Sequence, residues 1–189
     1  ASIEFAARHP ERTSALMLEC AISIQRVYPW YMTMLINSFF SWLTKLLVRK
    51  MPHTMITEMV KGESTLDKAD RERVTQALLS DPDKIQPMLE LVLSQPPHET
   101  LREGAKNDMT RFRALEKRPF EKVSCPTFVA HGTHDADVPF SHGETSAREI
   151  KDAELFAVDK GFHMLALVDH AEELRAAQIA FIKKNLDIE

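Results

Sequence analysis

The sequence predicts an α/β fold: about three parallel strands with flanking helices, and a helical block inserted after the first strand. Three observations carry that prediction. Short apolar runs alternate with helical patterns at both ends of the chain. The middle third reads as helix throughout. Between Ala21 and Lys117 the only glycines are Gly62 and Gly104, and no two-residue alternation occurs there.

Each element has a local reason. Ile3, Phe5, Ala6 and Ala7 mark the buried face of a short opening helix that stops at His9-Pro10, and Thr13 to Cys20 reads as an apolar strand. Trp30 to Val48 carries Met, Phe, Leu and Trp at approximate helical spacing. Helical patterns follow over Thr54–Val60, Leu66–Leu79, Lys84–Leu93 and His98–Phe112, broken by Ser80-Asp81-Pro82 and Gln95-Pro96-Pro97. Thr127 to His131, preceded by Cys125-Pro126 and closed by Gly132, has the pattern of a buried parallel strand. Ser141 to Glu144 reads as a Ser-x-x-Glu capping box, and Ala153 to Val158 as a third strand. Asp169 to Glu172 repeats the capping signal before a helix to about Asn185, with Leu174, Ala177, Phe181 and Ile182 facing inward. The expected division is a core of residues 1–21 and 118–189 around an insertion of residues 22–117.

Of the 189 residues, 44% are hydrophobic and 28% charged, an ordinary globular composition long enough to bury a core. A net charge of -4 and a pI near 6.1 supply no electrostatic reason to expect nucleic acid or an anionic membrane as partner. No apolar run approaches the ~20 residues of a membrane span. Tyr28 to Val48 comes nearest and is interrupted by Asn37, Ser38, Ser41, Thr44 and Lys45. Cys20 ends one predicted strand and Cys125 precedes another, about 15–20 Å apart if the strands are parallel neighbours. No disulfide and a cytoplasmic location are therefore expected.

In open parallel sheets, ligands bind beyond the carboxyl ends of the strands. Two segments fall there: HGTHDADVP, offering Asp135, and KGFHM, offering His163. A carboxylate and an imidazole on neighbouring strand tips can hydrogen-bond, the Asp fixing the His tautomer and stabilising its imidazolium. Asp135 also suits an ordinary turn, Asp137 stands as the alternative acid, and His163 also suits a partly buried structural role. His131, His134, Asp135 and His142 offer no ligand pair at helical spacing, so no metal is expected, and no cofactor motif occurs.

CPTFVAHGTHDADVP followed by AELFAVDKGFHM resembles the acid and histidine segments of the α/β-hydrolase superfamily. The helical insertion resembles that family's cap domain, and ASIEFAARHPERTSALML resembles the helix and strand that follow its nucleophile elbow. The resemblance implies a C-terminal portion of a hydrolase with Asp135 orienting His163 as general base and then acid. The parent activity it implies is serine hydrolysis of a small apolar ester or related acyl substrate. No G-x-S-x-G occurs in the sequence; KGEST and HGETS lack the pattern. The nucleophile and oxyanion hole are thus expected outside these residues, and the chain alone is expected to show no turnover. Relatives with an Asp nucleophile, and those performing C–C hydrolysis or peroxidation, share the retained segments.

Tyr28, Trp30, Tyr31, Met34 and Phe39 are candidate substrate contacts, by the resemblance to a cap with an apolar pocket. The same residues also suit plain packing, or self-association through Trp30 or Phe40. A second functional reading is a non-catalytic assembly fragment that self-associates through an exposed edge at 13–20, or pairs there with a separate N-terminal half.

Overall fold

A computed structural model describes residues 1–28, 37–94, 98–116 and 118–186. The expected α/β architecture is present: among the described residues, one sheet of three parallel strands runs in the order β1-β2-β3.

The opening helix α1 (Ser2–Arg8) carries a Glu4–Arg8 ion pair at 3.1 Å one turn apart. It ends where Pro10 cannot continue it. Strand β1 (Leu16–Glu19) alternates, with Leu16 and Leu18 buried and Met17 and Glu19 outward. It is shorter than the expected 13–20 because both ends do other work. The Thr13 hydroxyl donates to His9 O at 3.0 Å, closing the 3₁₀ turn at Pro10–Arg12, and Cys20 turns the chain with a left-handed φ of 44°.

Strand β2 (Thr127–Gly132) lies between its neighbours, and all six of its residues are buried, as a central parallel strand requires. It pairs Leu16↔Thr127 through Glu19↔Ala130 on one side and Phe128↔Glu154 through Gly132↔Val158 on the other. Strand β3 (Glu154–Val158) forms the far edge.

Both faces of the central strand are covered. On one, Ile3 and Ala6 of α1 pack with Leu16, Leu18, Phe120, Val123, Val129 and Ile150. On the other, Phe128 stacks at a tilt against Phe156 and against Phe181 of the closing helix, with ring centroids 6.2 and 5.4 Å apart. Burial of one such Phe is worth about 1.5–3 kcal/mol. Between β2 and β3 runs helix Ser141–Glu149. The Ser-x-x-Glu cap expected at Ser141 does not form: Ser141 is already helical and Phe140 occupies the N-cap without a side-chain bond. Pro139 explains the shift, since its carbonyl and that of Phe140 already accept from His142 N (2.9 Å) and Gly143 N (2.9 Å).

The chain groups into two compact units. The first comprises Ala1–Ile24, Gly62–Leu66 and Glu116–Glu189 and contains the sheet. The second comprises Gln25–Lys61 and Asp67–Leu115. Counting on in chain order, its helices are α2 (Ser38–Lys50), α3 (Pro52–Glu63), α4 (Lys68–Leu79), α5 (Pro82–Ser94) and α6 (His98–Arg113), so the sheet unit's later helices are α7 (Ser141–Glu149) and α8 (Ala171–Leu186). Val48, Ile56, Val60, Val74 and Leu78 are buried in the second unit. Asn37 caps α2 by accepting from Phe40 N at 3.1 Å, and Asp67 caps α4 by accepting from Asp70 N at 2.8 Å. No described helix is long and apolar enough to cross a membrane. Cys20 and Cys125 are both free and buried.

Candidate active site

The tips of β2 and β3 are joined by main-chain bonds. Thr133 N donates to Val158 O (3.0 Å), His134 N to Gly161 O (2.8 Å), and Lys160 N to the Thr133 hydroxyl (2.9 Å). Gly132 and Gly161 make this closeness possible. A Cβ at 132 would lie 2.5 Å from the Gly161 carbonyl carbon, a distance no side chain tolerates. Phe162, fully buried, anchors the second loop, and His163 follows it directly.

Asp135 is 4% exposed. Its Oδ1 accepts from Val138 N at 2.8 Å, closing an Asx turn, and its Oδ2 lies 2.9 Å from His163 Nδ1. Burial alone would push this carboxyl up. Hydrogen bonds from His131, His163 and the Val138 N–H outweigh it and hold the group well below the usual carboxylate range. An ionised carboxylate only accepts, so His163 carries its proton on Nδ1 and turns Nε2 outward. The hydrogen bond to Asp135 raises the His163 pKa against the opposing effect of desolvation, and the charges of Asp135, Asp137 and Glu63 add to the rise. Asp137, the alternative acid, stands on the side of the other nitrogen without a hydrogen bond to it: its Oδ2 lies 3.7 Å from Nε2, and its side chain is 38% exposed.

Two further groups face Asp135: Cys20, which neither sequence motif contains, and His131, which opens the first motif but reads there only as a candidate metal ligand. Donor atoms of Cys20, His131 and Asp135, all buried, lie within 4.8 Å of one another. Burial chiefly pushes the Cys20 thiol up to about 12, so it stands protonated beside the carboxylate. The Nε2 of His131 lies 2.8 Å from Val138 O. These groups form a hydrogen-bonded hub around one carboxylate.

Residues 62–66 of the same unit brace the acid loop. Ala136 N donates to Glu63 O (3.1 Å), Thr65 N to His134 O (2.9 Å), and Ser64 forms an antiparallel bridge with Asp135. The Glu63 carboxyl is half-buried and raised, first by desolvation and then by the charge of Asp137. Sequence reasoning misses Glu63 because it stands 72 residues before Asp135, with no periodic signal linking the two segments. His131 and Cys20 sit at strand ends, which is the signal that could have found them.

The proposed substrate contacts are not gathered in the same way. Tyr28 lies under Arg26, whose guanidinium is 4.8 Å from its ring centre, with Phe112 6.3 Å away. Phe39 is 61% exposed and touches Phe40 and Trp42. Trp30, Tyr31 and Met34 lie outside the described residues.

No family model matches the sequence. Solved structures do. An α/β-hydrolase fold protein from Nakamurella multipartita superposes with a TM-score of 0.83 at 25% identity, over 96% of this chain and 65% of that one. A thermophilic esterase from Thermogutta terrifontis superposes at 0.58 and 18% identity, over 96% of this chain and 60% of that one. The enol-lactonase from Burkholderia xenovorans LB400 gives 0.57 and 17%, with coverage of 96% and 61%. This chain thus spans less than two thirds of the length of each. The likeness establishes the fold: three parallel strands, flanking helices and a helical insertion, as in part of an α/β-hydrolase.

Proposed function

We propose that this α/β-hydrolase-fold chain carries the acid–base half of a nucleophilic relay, with Asp135 as orienting acid and His163 as general base and then general acid. The observation that carries the reading is the 2.9 Å contact between His163 Nδ1 and the buried Asp135 Oδ2 at adjoining strand tips. With Nδ1–H held by the carboxylate, the Nε2 lone pair is free to take the proton of an attacking hydroxyl. The ionised Asp135 then stabilises the imidazolium until Nε2 returns the proton to the leaving group. Asp135 stays ionised throughout.

In this reading the nucleophile and the oxyanion donors come from residues other than these 189, which contain no G-x-S-x-G. The proposed parent reaction is hydrolysis of a small apolar ester or related acyl compound. The Met- and aromatic-containing sequence between Tyr28 and Leu43 supports an apolar substrate. The test is p-nitrophenyl ester hydrolysis by the 189-residue chain and by the chain joined to whatever its gene encodes ahead of Ala1. The expected outcome is turnover in the longer form only, lost in Asp135→Asn and His163→Ala. Turnover by the shorter chain that disappears in His163→Ala would refute the division of labour.

A second reading rests on the sheet edge. Among the described residues β1 pairs with β2 alone, and Met17 on its outer face is 37% exposed. Such an edge offers unpaired backbone groups to a second copy of this chain. Light scattering across a concentration series tests it; a strict monomer at the highest concentration counts against it.

A further inference from the structure

Behind the acid loop lies a histidine that the relay itself does not use. His131, on β2 four residues before Asp135, is fully buried. Its Nε2 is 2.8 Å from Val138 O and 3.5 Å from Asp135 Oδ2. A carbonyl only accepts, so Nε2 bears the ring proton. The other nitrogen, Nδ1, is buried without a hydrogen-bond partner among the described residues. A proton there would be a buried donor with no described acceptor, whereas one on Nε2 meets the Val138 carbonyl. The ring therefore carries its proton on Nε2.

Its surroundings hold that ring in one orientation. Phe140 meets it edge-on at 5.9 Å, and Gly143 of α7 lies so close that a Cβ there would come within 2.7 Å of His131 Cβ and 2.9 Å of Nδ1. Val138 serves twice, its N–H donating to Asp135 Oδ1 at 2.8 Å while its carbonyl accepts from His131. The imidazole thus holds the residue whose N–H holds one carboxylate oxygen, and its own Nε2 lies 3.5 Å from the other.

We propose that His131 is a positioning residue that sets the rotation of the Asp135 carboxylate and so aims Oδ2 at His163. The proposal rests on the reading of Asp135 and His163 as a relay. A histidine buried only for packing would need neither this tautomer nor the Val138 carbonyl. The charged and titratable groups facing the pair are Asp137 and Glu63 around His163, and the Cys20 thiol beside Asp135.

The experiment is long-range ¹H–¹⁵N correlation of the histidine rings of the 189-residue protein, followed across pH. In the wild type, His163 is expected to titrate above the ordinary histidine range, and the His131 ring to show its proton on Nε2. In His131→Phe, which keeps a ring against Gly143, the His163 midpoint is expected to fall back toward that of a free imidazole. A wild-type His163 that titrates ordinarily overturns the relay reading itself. A wild-type His163 that titrates high, and equally high or higher in His131→Phe, leaves the relay standing and overturns the positioning role. If His131→Phe does not fold, the wild-type ring decides: Nε2–H supports the proposal, and Nδ1–H overturns it because that tautomer cannot donate to Val138 or Asp135.

Discussion

Gly132→Ala acts at the point where the two site loops touch. A Cβ at 132 would lie 2.5 Å from both the carbonyl carbon and the oxygen of Gly161 and 2.9 Å from Phe162 N. Carbon contacts relax at roughly 3.5 Å, so the 161–162 backbone must retreat by about 1 Å. No side-chain rotation can absorb that, because the opposing atoms are main chain, held by the fully buried Phe162 and by the His134–Gly161 bond. Overpacking of this kind costs about 1–3 kcal/mol. The same displacement would carry His163 Nδ1 from 2.9 Å to about 3.9 Å from Asp135, beyond hydrogen-bond reach. Two readouts should therefore move together: a urea midpoint lower by about 1 M, for a slope of about 2 kcal/mol per molar, and a His163 that titrates as a free histidine. Gly104→Ala in α6 is the control, since nothing lies within 4 Å of its position; it should be neutral or stabilising by up to about 1 kcal/mol. A Gly132→Ala protein with wild-type midpoint and unaltered His163 titration would refute the reasoning.

Three other outcomes are expected. The Asp135–His163 pair should stabilise the fold most between pH 3.8 and 6.5, the ordinary values of the two groups. The lowered Asp135 contributes above the first value and loses its contribution as pH falls through its folded pKa. The raised His163 contributes fully below the second and loses its contribution as pH rises through its folded pKa. Denaturant midpoints of wild type and His163→Phe should therefore differ most near the middle of that window, and a pH-independent difference would contradict the linkage. Phe162→Ala should cost about 3–5 kcal/mol and lower the melting temperature by about 10 °C in calorimetry, whereas a loss under about 1 kcal/mol would show that the loop is not anchored there. Cys20, with its thiol pushed from 9.0 up to about 12, should react with Ellman's reagent at least about tenfold slower than an ordinary thiol while folded. Rapid labelling of the native protein at Cys20 would show that the acid hub is open to solvent.

The succession of strands along the chain was legible in the sequence because punctuation and period agree there. Cys125-Pro126 and Gly132 bound a continuous apolar run, which is what a strand buried on both faces looks like. Strand β1 was legible in kind but not in length, since Thr13 and Cys20 flank the apolar run yet are spent on a turn and a left-handed exit. The cap signal at Ser141 failed because Pro139 starts the helix earlier. At the site, Asp135 and His163 each stand in a short local segment, so the chain displays them. Glu63 and Ser64 are brought in by tertiary closure, for which no local pattern exists. KGEST and HGETS register in sequence only as failed nucleophile motifs; folded, the first braces the acid loop and the second sets Gly143 against His131.

The bonds zipping the 132–135 and 158–161 turns together are mostly between peptide groups. Drift in neighbouring side chains can therefore leave that framework intact. Asp137 and Glu63 stand outside it as adjustable charges, so exchanging either for a neutral residue would retune the basicity of His163 without redrawing the scaffold. A lineage using this architecture could shift its working acidity through two exposed or half-exposed positions while the spacing between acid and base stayed fixed.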